Sequence, residues 1–102
     1  MTPPVDGYNS EYERWSNLFE LAWHDPRGVD RLACPSCGSS MIRFVYLADP
    51  GLTTTGMFAL WCSSCLRGFP PGYGPIPDGA TVWDFSRRKT IPNYATVVEG
   101  ES

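Results

Sequence analysis

The sequence predicts a small α+β domain. A helical pattern covers residues 10–25, two runs rich in β-branched and aromatic residues follow it, and two C-x-x-C pairs flank those runs. A chain of 102 residues fits one domain, so we treat residues 1–102 as a single unit. Its ten prolines and ten glycines leave a thin core, which a covalent or metal cross-link would help to stabilise.

The predicted helix over residues 10–25 follows a flexible arm, residues 1–9, whose Pro, Gly and polar residues show no periodicity. Ser10 and Glu13 form a capping box at its start, and Pro26 ends it. Apolar residues recur at intervals of three and four, which places them on one stripe. The stripe contains Tyr12, Trp15, Leu18, Phe19, Ala22 and Trp23.

The aromatic stripe has two interpretations. Apolar helix faces normally pack into the core of their own domain. Trp, Tyr and Phe are also enriched at protein interfaces, so part of the stripe could contact another protein or a second copy of the chain. The candidate partner surface consists of Trp15, Phe19, Trp23 and Trp83.

The segment "MIRFVYLADPGLTTTGMFALWC" predicts a long β-hairpin, because two apolar runs flank a turn-forming stretch. One strand leaves the first cysteine pair and the other reaches the second. The Pro- and Gly-rich stretch after Cys65 is predicted to be irregular and to lie over the hairpin. Residues 70–102 are therefore expected to be an extended tail, in which "TVWDF" and "NYATVVE" could each form a short strand.

The four cysteines are Cys34, Cys37, Cys62 and Cys65. Two residues between thiols let one tight turn present both sulfurs to a single ion, and a hairpin would fold the second turn back against the first. The chain begins with Met1, and it has neither a secretory-signal pattern nor an apolar run long enough to cross a membrane. We therefore expect a soluble cytoplasmic protein without a membrane partner, in which paired C-x-x-C motifs bind metal or act in redox chemistry rather than form disulfides.

At this point the sequence resembles the zinc ribbon family. "CPSCG" at 34–38 is similar to the family's first zinc knuckle and "CSSCLRG" at 62–68 to its second, so the resemblance covers residues 31–69. It implies a hairpin or three-stranded antiparallel sheet and one structural Zn²⁺, with Cys34, Cys37, Cys62 and Cys65 as a tetrathiolate ligand set. Zinc ribbons occur in transcription factors, ribosomal proteins, enzymes and adaptors, so the resemblance implies no single task.

Residues next to the cysteines fit such knuckles. Pro35 sets the turn after Cys34, and Gly38 and Gly68 are predicted to adopt a positive φ that aims backbone N–H groups at sulfur. Arg43 and Arg67 could offset the negative charge of the thiolates, or they could be ordinary solvated cations.

Other chemistries remain open at this stage. A thioredoxin-like dithiol normally uses one C-x-x-C pair at the start of a helix, whereas this chain has two pairs on a predicted hairpin. Catalytic zinc needs an open coordination position, which four cysteines close, while iron with four thiolates shares the same spacing. The single histidine, His24, is predicted to interact with the dipole at the end of the helix rather than to act as a base. We expect no enzymatic activity.

The formal charge of −3 argues against bulk attraction to nucleic acid. One basic cluster, Arg87, Arg88 and Lys89, could still contact phosphates, with Trp83 or Phe85 stacking on an unpaired base. The sequence therefore predicts a non-enzymatic zinc-binding protein that acts as a protein-interaction or adaptor module. The first alternative is a nucleic-acid-binding ribbon, and the second is a thiol redox protein.

Overall fold

The computed structural model describes residues 10–49 and 54–97, which form a five-stranded mixed sheet and one α-helix. The small α+β class is confirmed, and the predicted arm over residues 1–9 lies outside the described residues. The elements are α1 (Glu11–His24), β1 (Ile42–Ala48), β2 (Thr55–Cys62), β3 (Arg67–Pro75), β4 (Thr81–Asp84) and β5 (Ala95–Thr96), with short 3₁₀ helices at Pro26–Arg31 and Phe85–Thr90.

A hydrogen bond marks each end of α1. The Ser10 hydroxyl accepts a hydrogen bond of 3.1 Å from the backbone N–H of Glu13, which satisfies one of the free donors at the helix start. At the other end the Asp25 N–H donates to the carbonyl of Leu21 over 3.1 Å.

Among the described residues, no helix is long and apolar enough to cross a membrane.

The predicted hairpin is present, because β1 and β2 pair antiparallel with Ile42 opposite Cys62 and Leu47 opposite Met57. The strand order is β4-β1-β2-β3-β5, so the hairpin forms the centre of the sheet. β4 pairs parallel to β1, and β5 pairs parallel to β3. A three-stranded antiparallel unit, β1-β2-β3, is thus extended by one short parallel strand at each edge.

The prediction that the Pro- and Gly-rich stretch after Cys65 is irregular was wrong. It forms β3, which pairs antiparallel with β2. Pro70 and Pro71 fall where the register shifts between Phe58 and Leu60, which is a bulge, and prolines are tolerated at bulges because no ladder hydrogen bond is lost there.

The prediction of a positive φ at Gly68 was also wrong. In the described residues positive φ angles occur at Gly38, Gly79 and Leu66. Gly68 lies within β3, where an added Cβ would overlap the carbonyl oxygen of Leu60 and approach the Tyr94 ring to 2.6 Å. Glycine is therefore required here for the close approach of a strand and a ring, rather than for its backbone angles.

The sheet is covered on both faces. On one face α1 buries Trp15, Leu18 and Ala22 against β1 and β2. On the other face a smaller cluster of Val45, Ala59 and Trp61 is packed against the C-terminal segment, where the Tyr94 ring stacks on Trp61 at a centroid distance of 5.8 Å. The cysteine pairs lie at the end of the sheet where β2 finishes and β3 begins.

Candidate metal centre

The first cysteine pair lies on a tight turn just before β1. The Gly38 N–H donates to the Cys34 carbonyl and the Cys34 N–H donates to the Ser39 carbonyl, both over 2.8 Å. Gly38 adopts φ = 82°, as predicted, a conformation that costs glycine little because it has no Cβ. The turn thereby directs the side chains of Cys34 and Cys37 toward the end of β2.

The second pair forms an equivalent turn between β2 and β3. The Leu66 N–H donates to the Cys62 carbonyl over 2.9 Å, as Gly38 does in the first turn. Leu66 adopts φ = 58°, which costs an L-residue about 1 kcal/mol. A bond of 2.9 Å from the Ser63 N–H to the Met41 carbonyl joins this turn to the first one. The neighbouring strands thus keep Leu66 in this strained conformation, immediately after Cys65.

The four thiols converge on one point. All four Sγ atoms lie within 4.8 Å of one another, and all four cysteines are free. Two of the separations join the turns to each other: 3.7 Å from the Cys34 Sγ to the Cys65 Sγ, and 3.7 Å from the Cys37 Sγ to the Cys62 Sγ. Four sulfurs arranged tetrahedrally around zinc at its usual bond length lie about 3.8 Å apart. The four cysteines are positioned to bind a single metal ion.

Backbone N–H groups point at the sulfurs of the two buried cysteines. The N–H groups of Ser36 and Cys37 lie 3.2 and 3.4 Å from the Cys34 Sγ. The Ser64 N–H lies 3.4 Å from the Cys62 Sγ. Such donors stabilise thiolates and are typical of sulfurs that ligate a metal.

The thiols differ strongly in acidity. Hydrogen bonds with the Ser39 hydroxyl and backbone lower the pKa of Cys37 to about 6. Burial, together with the neighbouring thiols Cys34 and Cys37, raises the pKa of Cys65 to about 12. The cluster therefore retains protons while no cation is bound, and a metal ion that binds all four sulfurs must displace them.

A polar network connects α1 to both cysteine turns. The Ser36 hydroxyl, between the first two cysteines, donates to the Glu11 carboxylate and accepts a 3.0 Å bond from the Trp15 indole N–H. Arg67, two residues after Cys65, donates to both oxygens of Glu11 at 2.6 and 3.0 Å. The hydrogen bond from Arg67 is the main reason that the pKa of Glu11 lies below its usual value. Arg67 thus pairs with a carboxylate of the helix, while Arg43 is exposed.

We predict that Glu11→Gln lowers the free energy of unfolding by about 1 kcal/mol, because it breaks a partly exposed bidentate ion pair. The lowered pKa of Glu11 means that this stabilisation is present above pH 4.5 and is lost as the pH falls through the folded-state value. Urea unfolding of both proteins at pH 7, with the metal bound, measures the difference. Glu13→Gln, on the exposed side of α1, is the matched control; equal effects of the two substitutions would contradict the prediction.

The helix residues proposed as a partner surface face the sheet. Trp15 is fully buried, which removes it from that surface, and its indole N–H is bound to Ser36. Phe19 and Trp23 are half-buried and pack against the core, and the Trp23 N–H donates to the Pro75 carbonyl over 3.2 Å. His24 is exposed at the helix end, edge-on to Trp23.

The basic cluster is exposed on the 3₁₀ helix Phe85–Thr90. The Arg87 guanidinium lies 4.3 Å from the ring centroid of Trp83, a cation–π contact that covers one face of this half-buried ring. Arg88 donates to the Phe85 carbonyl over 3.1 Å. A base that stacked on the covered face of Trp83 would have to displace Arg87.

Sequence reasoning missed three residues of the centre. Ser36 and Ser39 had only one signal, their position beside the cysteines, and Glu11 resembled any acidic residue in a first helical turn. Its partner Arg67 lies 56 positions further along the chain, so no local pattern could have joined them.

Comparisons with known protein families, curated proteins and solved structures find no match for this chain. The function must therefore be argued from the chemistry of the site itself.

Proposed function

We propose that Cys34, Cys37, Cys62 and Cys65 bind one Zn²⁺ as a structural tetrathiolate and that residues 31–69 form a zinc ribbon. The separation of 3.7 Å between sulfurs of opposite turns carries this proposal, because it equals the edge of a zinc–sulfur tetrahedron within about 0.1 Å. Iron bound by four thiolates would require a similar arrangement of sulfurs. Zinc is preferred here because it is the usual ion of closed four-cysteine sites.

The proposed role of the ion is structural and non-enzymatic. Four protein ligands leave no coordination position for water or a substrate, so the ion cannot act as a Lewis acid on one. Two of the ligands, Cys34 and Cys62, belong to the buried core, which couples the ion to folding.

Titration with Co²⁺ under reducing conditions tests the ligand set. Tetrahedral cobalt bound by four thiolates gives intense absorption bands that distinguish it from octahedral cobalt in water. We expect these bands to saturate at one ion per chain and to disappear when Zn²⁺ is added. Saturation with an octahedral spectrum would contradict the proposal. Cys37→Ser, which changes the exposed ligand, should weaken the bands and shift them.

We propose further that the protein acts as an interaction module for another protein. β4 is an edge strand, so its outer backbone N–H and C=O groups are open to pairing with an extended segment. Val82 in this strand has 44% of its surface exposed, an apolar contact that such a segment could cover. The alternative of nucleic-acid binding is supported by the exposed side chains of Arg87, Arg88 and Lys89.

Affinity capture at low and high salt, with and without nuclease, separates the two roles. For a protein partner bound at β4, we expect nuclease-resistant retention that Val82→Lys abolishes and Lys89→Glu leaves unchanged. Retention that falls steeply with salt, ends after nuclease treatment and is lost in Lys89→Glu would overturn the adaptor role in favour of nucleic acid.

A further inference from the structure

A cavity of about 350 Å³ lies between the C-terminal half of α1 and strand β3, at the opposite end of the helix from the cysteines. Its volume is within the range of small-molecule sites. The residues that line it are Phe19, Glu20, Trp23, His24, Tyr46, Phe58, Tyr73, Gly74 and Pro75.

Aromatic rings form most of the cavity wall. Tyr46 is almost fully buried, and its ring lies 6.0 Å from that of Phe58 at a steep angle. Phe19 is 4.6 Å from Phe58, and the Trp23 N–H is already bound to the Pro75 carbonyl, which fixes that indole. Trp23 and Tyr73 are rings of the wall that keep appreciable exposed surface. The faces of aromatic rings carry partial negative charge, so contact with them favours a cation over a neutral or anionic ligand.

A negatively charged side chain at the rim also favours a cation. Glu20 is exposed, and it has no cationic partner among residues 10–49 and 54–97, unlike Glu11. No lysine or arginine is among the described residues that line the cavity. A cation that enters would therefore meet a carboxylate as well as aromatic rings. Of the described residues that line the cavity, only His24 can carry a positive charge, and its ring lies edge-on to Trp23.

Two residues of β3 leave the site accessible. Tyr73 keeps 66% of its surface exposed at the rim, which is high for a large aromatic side chain. A Cβ added at Gly74 would meet no atom within 4 Å, so this position is open and a larger residue there would reduce the space without a clash. Neither residue is needed to fill the core.

We propose that this cavity binds a quaternary ammonium ion of the choline type, a trimethylammonium group on an uncharged chain. Such an ion is large and weakly hydrated, so it can leave water to contact several rings, whereas a primary ammonium is strongly hydrated and loses more on entry. A betaine-type ligand carries its own carboxylate, which Glu20 would repel. The site is separate from the cysteine cluster and does not depend on which metal binds there.

The test is a titration of the metal-loaded protein, followed by NMR chemical shifts of the side chains that line the cavity. We expect choline and tetramethylammonium to bind with a dissociation constant on the order of 1 mM, and glycine betaine and ethanolamine to bind several-fold more weakly. The neutral isostere 3,3-dimethylbutan-1-ol is the decisive comparison. Equal binding of the isostere, or no shift with either cation, would overturn the proposal.

Substitutions of residues that line the cavity test where choline binds. Tyr73→Ala removes an exposed ring and Glu20→Gln removes the charge, and each should weaken choline binding about threefold while leaving thermal unfolding unchanged. Gly74→Val should reduce binding by narrowing the cavity. Glu13→Gln, an exposed glutamate near the start of the same helix, is the matched control and should bind as wild type. Equal weakening in Glu13→Gln and Glu20→Gln would show a general charge effect and contradict the site.

Discussion

Removal of the proposed metal by chelation, or Cys62→Ser, is expected to unfold the protein at room temperature. Cys62 is fully buried at the end of β2, pairs with Ile42 across the hairpin, and belongs to the core that α1 covers. The apparent free energy of zinc binding to four-ligand sites is about 10–16 kcal/mol, which is as large as the whole stability of a typical domain. Loss of one buried ligand should therefore remove most of the free energy that holds the fold.

Proton–nitrogen NMR spectra and far-UV circular dichroism, recorded before and after chelation, measure this loss. Ser64→Ala is the matched control, because it changes an exposed residue two positions from Cys62 and should retain the folded spectrum. Full native dispersion in metal-free protein or in Cys62→Ser would contradict a structural role for the metal.

Trp15→Ala is expected to lower the free energy of unfolding of the metal-loaded protein by about 3–5 kcal/mol. Trp15 is fully buried and is among the largest side chains of the core, so its removal leaves a cavity between α1 and the sheet. It also removes the donor that binds Ser36 in the first cysteine turn. Denaturant unfolding with saturating Zn²⁺ measures the change.

Two further variants separate packing from hydrogen bonding at this position. Trp15→Phe keeps a ring but removes the indole N–H, and should cost less than Trp15→Ala. Leu21→Ala, on the exposed side of the same helix, is the control and should cost less than about 0.5 kcal/mol. If Trp15→Ala and Leu21→Ala had similar effects, α1 could not pack against the sheet as described.

The parts of the fold that the sequence predicted depend on local patterns. The N-cap at Ser10 and the three- and four-residue spacing of apolar side chains are local features of α1 and the residue before it. The hairpin could be predicted because two β-rich runs flank a turn. The first cysteine pair lies just before β1 and the second begins at the end of β2, so the convergence of the thiols followed from the hairpin.

The parts that escaped prediction depend on contacts between distant segments. β3 forms although it is rich in proline, since β2 offers a pairing edge and the bulge accommodates Pro70 and Pro71. Gly68 is required by a ring from another segment, Tyr94, which its own neighbours in sequence do not reveal. The Glu11–Arg67 pair likewise exists only after the helix has docked.

Helix α1 connects the two candidate sites. Its first turn contacts both cysteine turns through Glu11, while its last turn forms one wall of the aromatic cavity through Trp23. Metal binding should therefore stabilise the docked helix and, with it, the cavity. The proposed ligand contacts the opposite end of the helix, so the cavity variants can be compared in protein that retains its metal.

Native mass spectrometry of protein purified without added metal tests the metal centre most directly, when it is combined with alkylation of cysteines before and after denaturation. We predict a mass that carries one Zn²⁺ per chain, with Cys34, Cys37, Cys62 and Cys65 protected until the protein is denatured. A metal-free mass, with thiols that react at once or with a loss of hydrogens that indicates disulfides, would contradict the structural zinc site.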